Sequence, residues 1–242
     1  MSAETGGRVV HRYSHSLGNN PKTKFADWVA YVVDAKSMDG TRDRRWKPDP
    51  KLPAEATLEP ADYKGANAAH GYDRGHQGAL ASLTGWPEWE KTNYLSNITP
   101  QKGALNQGPW KKLEDAVRVA VRAGKAPRAI VFTGPLYERE MPALPKSDEA
   151  HTVPSGYWKL VVLDMAGGRA PAGFVMDQAM ARKDDRCAVE RWSTIAGIEA
   201  RAGTKLLADV PAVEREAMIE RSIVARLALG CALGPELASA AN

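Results

Sequence analysis

A four-residue motif, Asp73-Arg74-Gly75-His76, joins two side chains that can act together on a phosphate ester. The imidazole of His76, with an ordinary pKa near 6.5, can accept a proton from water at neutral pH. The guanidinium of Arg74 offers a planar set of donors that match phosphate oxygens. Gly75 between them allows either a close backbone contact or a positive φ angle. The pair suits phosphodiester hydrolysis, although a single histidine in a soluble protein is more often structural.

A second set of residues follows in a predicted helix. They recur every four positions, about one helical turn apart, as Asn106, Trp110, Glu114 and Arg118. Asn106 and Glu114 are then roughly 12 Å apart along the axis, too far for both to bind one ion directly. Because helical side chains lean toward the N-terminus, Glu114 can reach a water on an ion held by Asn106. Magnesium, which keeps several waters, fits this arrangement. The alternative is an ordinary amphipathic helix with a polar face.

The elements that must position these residues are predicted to be mixed. Segments rich in β-branched and aromatic residues predict strands at 28–35, 128–134, 157–164 and 172–178. One helix is predicted from Asn106 or Pro109 to Ala123, with Gly124 just beyond its end, and others at 188–202 and 211–228. Strands and helices alternate without a strict βαβ order, which predicts the α+β class.

A long polar region, roughly residues 36–108, separates the first strand from the helix. Irregular chain of this length in a compact domain usually has a function. It contains a basic cluster in which Arg42, Arg44, Arg45 and Lys47 surround Trp46. This cluster predicts either a solvated loop or a contact with a polyanion.

The composition is that of a soluble globular protein. The 242 residues are 43% hydrophobic and 26% charged, with a net charge of +4. Because no repeat or linker interrupts the chain, we expect a single domain over 1–242, with its core at about 8–232 and flexible termini. No segment approaches the ~18 apolar residues of a membrane span, so no membrane partner is expected.

The two cysteines, Cys187 and Cys231, lack the spacing of a zinc site. They are compatible with free thiols in the cytosol or with a disulfide in an exported protein. The N-terminus has no recognisable signal peptide. The protein therefore either acts where it is made or is a mature form from which a leader has been removed.

The motif and the helix together resemble the DNA/RNA non-specific endonuclease family, the ββα-metal (His-Me finger) nucleases, and most closely their secreted Serratia-type branch. The Asp-Arg-Gly-His motif is the hallmark of that family, and Asn106 follows His76 at the expected distance. The likeness covers most of residues 23–160, through KFADWVAY, TLEPADYKGANAA, DRGHQ, NYLSNITPQKGALNQGPWKKLED, TGPLYER and AHTVPSGYWK. It implies an α+β fold with an antiparallel sheet flanked by helices and a long irregular active-site region.

The resemblance also implies a role for each residue that matches the family's motif. His76 would be the general base that activates water, and Arg74 would stabilise charge on the scissile phosphate. Asn106 would be the side chain bound directly to Mg²⁺, for which Mn²⁺ is expected to substitute. Glu114 would orient a metal-bound water.

Other residues are implied to bind substrate or to support the site. Arg44 and Arg118 match arginines that bind phosphates. Asn97 and Gln101 lie in a loop that supports the site, and the cysteines are placed like a long-range disulfide of the Serratia-type enzyme.

The function implied is hydrolysis of DNA and RNA, single- or double-stranded, to 5′-phosphorylated fragments through contacts with the phosphate backbone. A homodimer and a secreted or periplasmic location accompany that expectation, while a cytoplasmic location is also compatible. Two alternatives are a nucleic-acid-binding or toxin-like module with weak or no turnover and a metal-dependent phosphodiesterase for small substrates. The spread of Arg44, Arg74 and Arg118 favours a polymer with several phosphates.

Overall fold

A seven-stranded antiparallel sheet is the frame of the protein, in a computed structural model that describes residues 7–232. Its order is β1-β2-β3-β6-β7-β8-β9, while β4 and β5 form a separate antiparallel ribbon. The strands are β1 (Val9–His11), β2 (Ser16–Asn19), β3 (Ala26–Asp34), β4 (Tyr72–His76), β5 (Ile98–Lys102), β6 (Arg128–Leu136), β7 (Gly156–Met165), β8 (Gly168–Asp177) and β9 (Trp192–Ser193). The termini expected to be flexible lie, apart from Gly7, outside the described residues.

The α-helices of this described part are short. They are α1 (Ala66–His70), α2 (Gly103–Leu105), α3 (Lys111–Arg122), α4 (Ile195–Ala202), α5 (Ala212–Glu220) and α6 (Ser222–Ala228). Single 3₁₀ turns occupy Lys36–Met38, Ala54–Ala56, Leu80–Ser82, Trp89–Asn93, Leu95–Asn97 and Val189–Arg191. None of these helices is long and apolar enough to cross a membrane.

Two helix predictions need correction. The segment 188–202 is α-helical only from Ile195, because Thr194 caps the helix by accepting a hydrogen bond from Gly197 N. Before it the chain forms a 3₁₀ turn and the edge strand β9. The segment 211–228 is two helices divided at Arg221. The four predicted strands are confirmed, although the last begins at Gly168 rather than at 172.

Helices cover both faces of the sheet. Successive residues of a strand point to opposite faces, and in this sheet the residues on both faces are apolar, so both faces must be buried. Along β7, Val161 and Leu163 pack in a cluster with α3, whereas Leu160 and Val162 pack in a cluster with α4. The apolar stripe predicted for the helix that follows Asn106 is confirmed. Its residues are all buried: Trp110, Leu113, Val117 and Val121. The sheet and α3 therefore share one hydrophobic core.

The ribbon of β4 and β5 lies within the region that the sequence predicts to be irregular. Its strands pair from Tyr72 with Lys102 to His76 with Ile98. The buried amide of Gln178, just after β8, accepts a hydrogen bond from Lys102 N at 2.7 Å and donates to Pro100 O at 2.8 Å. The ribbon is thereby fixed to the end of the sheet.

The two cysteines form a disulfide, Cys187–Cys231, with their Cα atoms 5.2 Å apart. This settles the choice that composition leaves open between free thiols and a disulfide. The bond joins the segment after β8 to the end of α6 and closes a loop of 44 residues. A crosslink of that span is worth about 4 kcal/mol in the chain-entropy model.

Candidate active site

A cavity of about 1020 Å³ lies where the ribbon, α3 and the basic loop around Trp46 meet. Its walls include every residue to which the sequence assigns a chemical role: Arg44, Arg74, His76, Asn106, Glu114 and Arg118. The ribbon, the turn before α3, α3 and the loop each contribute some of them. Residues scattered over seventy-five positions are thus brought to a common surface, as a mechanism with one substrate requires.

His76 ends strand β4 and is oriented by an asparagine. Its Nε2 lies 3.1 Å from Oδ1 of Asn93, and Nδ2 of Asn93 donates to the carbonyl of Asp43 at 2.9 Å. Because a carbonyl can only accept, the amide of Asn93 is fixed with Oδ1 toward the imidazole. Nε2 of a neutral His76 must therefore carry the proton, and Nδ1 is left as a proton acceptor.

The surroundings of His76 favour the neutral imidazole. Burial lowers its pKa from 6.5 to about 4, the bond to Asn93 opposes this, and the positive charge of Arg44 lowers the pKa further. At neutral pH the ring is thus unprotonated and able to accept a proton.

We expect the His76 ring to titrate near pH 4 when its imidazole resonances are followed by NMR, and to be neutral at pH 6. Between pH 6.5 and 4 the unfolded chain binds a proton that the folded protein does not, so the free energy of unfolding should fall as the pH is lowered through this window. A midpoint at or above 6.5 would contradict the environment described.

Arg74 is held between two aromatic rings. Its guanidinium carbon lies 5.6 Å from the ring centroid of Trp46 and 5.2 Å from that of Tyr63, and one of its nitrogens donates to Pro60 O at 3.1 Å. The Trp46 ring also lies 5.3 Å from the ring of His76. A single tryptophan therefore contacts both the candidate base and the candidate phosphate-binding group.

Two glycines explain how β4 and the loop after it fit so closely. A side chain at Gly75 would place its Cβ 2.5 Å from Oε1 of Gln101, so the glycine serves close contact rather than a positive φ. The buried side chain of Asn97 accepts from Gly78 N at 2.8 Å and donates to Gly78 O at 3.1 Å. Asn97 thus hydrogen-bonds the backbone two residues after His76, and Gln101 packs against the residue before it.

Asn106 is fixed by the acid of the Asp-Arg-Gly-His motif. Its Nδ2 donates to Oδ2 of Asp73 at 2.9 Å. The same carboxylate accepts from Gln107 at 2.7 Å and from Asn67 at 3.0 Å. With its amide nitrogen used in this way, Asn106 has its carbonyl oxygen Oδ1 left for another partner.

The chain around Asn106 is not the regular helix start that the sequence predicts. Asn106–Trp110 forms a wider π-type turn, and Gly108 within it has non-helical angles (φ −106°, ψ −118°). A Cβ at Gly108 would lie 2.7 Å from the Cα atom of Arg182, so the backbones of the two segments are in contact. The regular α3 begins only at Lys111, because this contact and Pro109 interrupt the α-helical hydrogen bonds.

Glu114 lies on the first turn of α3 with its side chain 15% exposed. Burial raises the pKa of its carboxyl, and the charges of Lys159 and Arg118 act in the opposite direction. The amide oxygen of Asn106 and the carboxylate oxygens of Glu114, which line the same cavity, are hard donors of the kind that Mg²⁺ prefers. The residues present therefore fit a hydrated divalent cation.

The two arginines assigned to phosphate binding differ in their surroundings. Arg44 is exposed at the cavity wall, and no ion pair of its side chain is found within residues 7–232. Arg118 is buried, donates to Ser82 Oγ at 3.0 Å and pairs with Asp115. Arg44 is free to move toward an anion, whereas Arg118 adds fixed positive charge behind it.

A group of acids lies outside the cavity wall. Carboxylate oxygens of Asp62, Asp148 and Glu149 lie within 4.8 Å of one another, which would allow them to hold a cation. Asp148 is exposed, and clusters of this kind are common on surfaces without an ion.

Sequence reasoning missed three contributors to the site: Asn93, Trp46 as a contact of both Arg74 and His76, and Asp73 as the acceptor for Asn106. Asn93 lies 17 positions after His76 and Trp46 lies 30 positions before it, and no local pattern links them to the motif. Asp73 was visible as part of the motif, but its partner is 33 residues away.

Comparisons with known proteins place this chain in a family. The family model described as DNA/RNA non-specific endonuclease matches residues 1–212. A nuclease of Serratia marcescens is 44% identical over 215 residues, which cover 87% of this chain and 80% of that protein. Human mitochondrial endonuclease G is 32% identical over 175 residues, 67% of this chain and 57% of its own length.

A solved structure shares the fold. The crystal structure of a complex between EndoG and EndoGI, described as showing the mechanism of EndoG inhibition, superposes with a TM-score of 0.71. The match covers 84% of this chain and 86% of that one at 22% identity. Mixed α+β architecture with an antiparallel sheet is common to both.

Proposed function

The chain belongs to the DNA/RNA non-specific endonuclease family, and from this premise we propose that it hydrolyses backbone phosphodiesters with His76 as general base and one Mg²⁺ bound by Asn106. The observation that carries the proposal is that both residues line the same cavity, together with Arg44 and Arg74. The products would be fragments with 5′-phosphate and 3′-hydroxyl ends.

His76 would take the proton of the attacking water on Nδ1. Asn93 holds the ring by Nε2, and the lowered pKa keeps Nδ1 unprotonated at neutral pH. Arg74, held between Trp46 and Tyr63, cannot swing away and would place a fixed positive charge beside the reacting phosphate.

Asn106 would hold the cation through Oδ1, and Glu114 would orient a water of its hydration shell. The Asp73 carboxylate accepts a hydrogen bond from Nδ2 of Asn106, so Oδ1 of Asn106 points away from Asp73. When bound, Mg²⁺ would supply a Lewis acid that offsets charge on the phosphate and on the departing 3′-oxygen. Mn²⁺, which accepts the same oxygen ligands, would substitute.

The arrangement of arginines accounts for a substrate that is a polymer of any sequence. Arg44 and Arg74 line the cavity and would contact successive phosphates, and the buried Arg118 would add positive charge behind them. Contacts to phosphate position a nucleic acid but do not read its bases. Both DNA and RNA would therefore be cut.

Digestion of plasmid DNA and total RNA tests the proposal directly. The protein with Mg²⁺ should degrade both, whereas addition of EDTA should stop the cleavage, and an excess of Mg²⁺ or Mn²⁺ should restore it. Labelling of the new 5′ ends by polynucleotide kinase should require prior phosphatase treatment. Binding of DNA without any cleavage in Mg²⁺ would instead support the alternative of a binding module.

Replacing Arg44 by alanine should weaken substrate binding and flatten its salt dependence. Each phosphate contact contributes about one unit to the slope of log K against log salt, so the slope should fall by about 1. The dissociation constant for a DNA duplex, measured between about 50 and 300 mM NaCl with Ca²⁺ in place of Mg²⁺ to prevent turnover, reports this directly.

The matched control is Arg45→Ala. Arg45 is the next residue along the chain and is also exposed, but it pairs with Asp43 at 2.6 Å and is not part of the cavity wall. A slope that changes equally in both variants, or in neither, would mean that Arg44 makes no specific phosphate contact.

We also propose an oxidising location, outside the cytosol. The disulfide Cys187–Cys231 supports it, because disulfides persist in secreted and periplasmic proteins and are rare in the cytosol.

A further inference from the structure

A buried lysine lies behind the cavity. Lys159 is on β7 between Tyr157 and Val161, and its side chain is wholly inaccessible to solvent. Alternation along the strand directs it toward α3 rather than toward α4. A buried ammonium is costly unless another group compensates for its charge. The roles proposed above make no use of it.

The surroundings of Lys159 contain one acid and two aromatic rings. Its Nζ lies 3.7 Å from Oε1 of Glu114, 4.3 Å from the ring centroid of Trp110 and 3.5 Å from the hydroxyl of Tyr31. Burial lowers its pKa to about 8, whereas Glu114 raises it, so the side chain is mostly ammonium at neutral pH.

Glu114 depends on this contact. Its Oε1 atom is buried and, in the part of the chain that the structure describes, accepts no hydrogen bond. Lys159 supplies the largest stabilisation of its charged form, ahead of Arg118. The oxygen that faces the sheet is thus balanced by Lys159, and the other oxygen, Oε2, is left for the cavity that Glu114 lines.

We propose that Lys159 is a positioning residue for Glu114: its ammonium holds Oε1 from within the sheet and so presents Oε2 to the cation side of the cavity. Lys159 itself touches neither substrate nor cation. The inference rests on the role proposed for Glu114. It explains why a strand of otherwise apolar residues, YWKLVVL, carries a charge at a position that faces the core.

A double-mutant cycle tests it. Lys159→Met retains the length of the side chain and should lower kcat by roughly 10- to 100-fold, the usual effect of removing a group that orients a metal site, with little change in KM. In the background of Glu114→Gln, which has no carboxylate to position, the same substitution should lower kcat by less than about 3-fold. Lys159→Arg, which keeps the charge, should restore part of the loss.

A second readout needs neither metal nor turnover. Each single substitution leaves one buried charge without its counterpart, so Lys159→Met and Glu114→Gln should each lower the Tm of the metal-free protein, and the double variant should lose less than the sum. If Lys159→Met alone does not fold, a folded double variant with a Tm close to that of Glu114→Gln would still show that the two residues depend on each other, whereas an unfolded double variant would contradict it.

Arg12→Met is the matched control. Arg12 belongs to another buried ion pair, with Asp49 at 2.5 Å, whose residues are not in the cavity wall. Arg12→Met should lower the Tm by the same amount in the wild-type protein and in the Glu114→Gln variant.

The outcomes separate the inference from the proposal on which it rests. Normal kcat in Glu114→Gln would overturn the role of Glu114 and, with it, the inference. Impaired Glu114→Gln together with normal Lys159→Met, or equal losses from Lys159→Met in both backgrounds, would overturn only the inference.

Discussion

Replacing His76 by alanine should lower kcat by about 10²- to 10⁴-fold, the usual contribution of a general base. The substitution removes Nδ1, which Asn93 leaves free by holding Nε2. The other acceptor in the motif, the Asp73 carboxylate, is already hydrogen-bonded to three amides. KM should change little because Arg44 and Arg74 keep the phosphates bound. Steady-state hydrolysis of a short duplex with saturating Mg²⁺ measures both constants.

The control for this experiment is His11→Ala. His11 is an exposed histidine on β1 whose Nδ1 contacts Ser16, and it lies outside the cavity wall. It should keep wild-type kcat, and thermal unfolding should verify that His76→Ala remains folded. A folded His76→Ala variant with wild-type turnover would exclude this residue as the base.

Replacing Asn106 by alanine should reduce kcat by roughly 10²- to 10³-fold at a fixed, moderate Mg²⁺ concentration. The proposed ligand atom is lost, and with it several kcal/mol of charge stabilisation at the phosphate. Activity should rise again with Mg²⁺ concentration, because the substitution weakens binding of the cation more than it alters the base. A titration of activity against Mg²⁺, with calorimetric binding alongside, measures this shift.

Two further variants sharpen the test of Asn106. Asn67→Ala removes another amide that donates to Asp73, but one that is not proposed to bind the cation, and it should cost less than about 10-fold. Asn106→Asp keeps an oxygen ligand but places a second carboxylate against Asp73 in place of a donor, so it should also be impaired. An unchanged Mg²⁺ dependence in Asn106→Ala would remove this residue from the metal site.

The sequence predicts the four central strands of the sheet because they are chemically uniform, but it does not predict the outer strands β1, β2 and β9. Segments such as WVAYVVDA and YWKLVVLD are continuous runs of β-branched and aromatic residues, and both form central strands. The ribbon was not predicted, since YDRGH and ITPQK have neither this composition nor regular alternation. The pairing of β4 with β5 depends on Gln178 and on the buried cluster that contains Tyr72 and Ile98. Gln178 and other members of that cluster are distant from the ribbon in sequence.

For the site, residue types and family resemblance predicted which side chains share the cavity, but not how they are held there. The proton position on His76 depends on Asn93, and the direction of Asn106 depends on Asp73. Such partners become neighbours only after folding. The sequence does contain a signal for Lys159, because a lysine at an inward position of an apolar strand needs an acidic partner. It does not identify Glu114 as that partner.

The carboxylate of Asp73 has a consequence for how this site can vary. It lies on the same strand as His76, three residues earlier, yet its hydrogen bonds belong to Asn106, Gln107 and Asn67. The distance between the candidate base, His76, and the candidate metal ligand, Asn106, is therefore set by the hydrogen bond between the Asn106 amide and the Asp73 carboxylate, a junction between two segments of the chain. A replacement at either end of that junction disturbs the other end, so Asp73 and Asn106 should be retained together when homologues are compared.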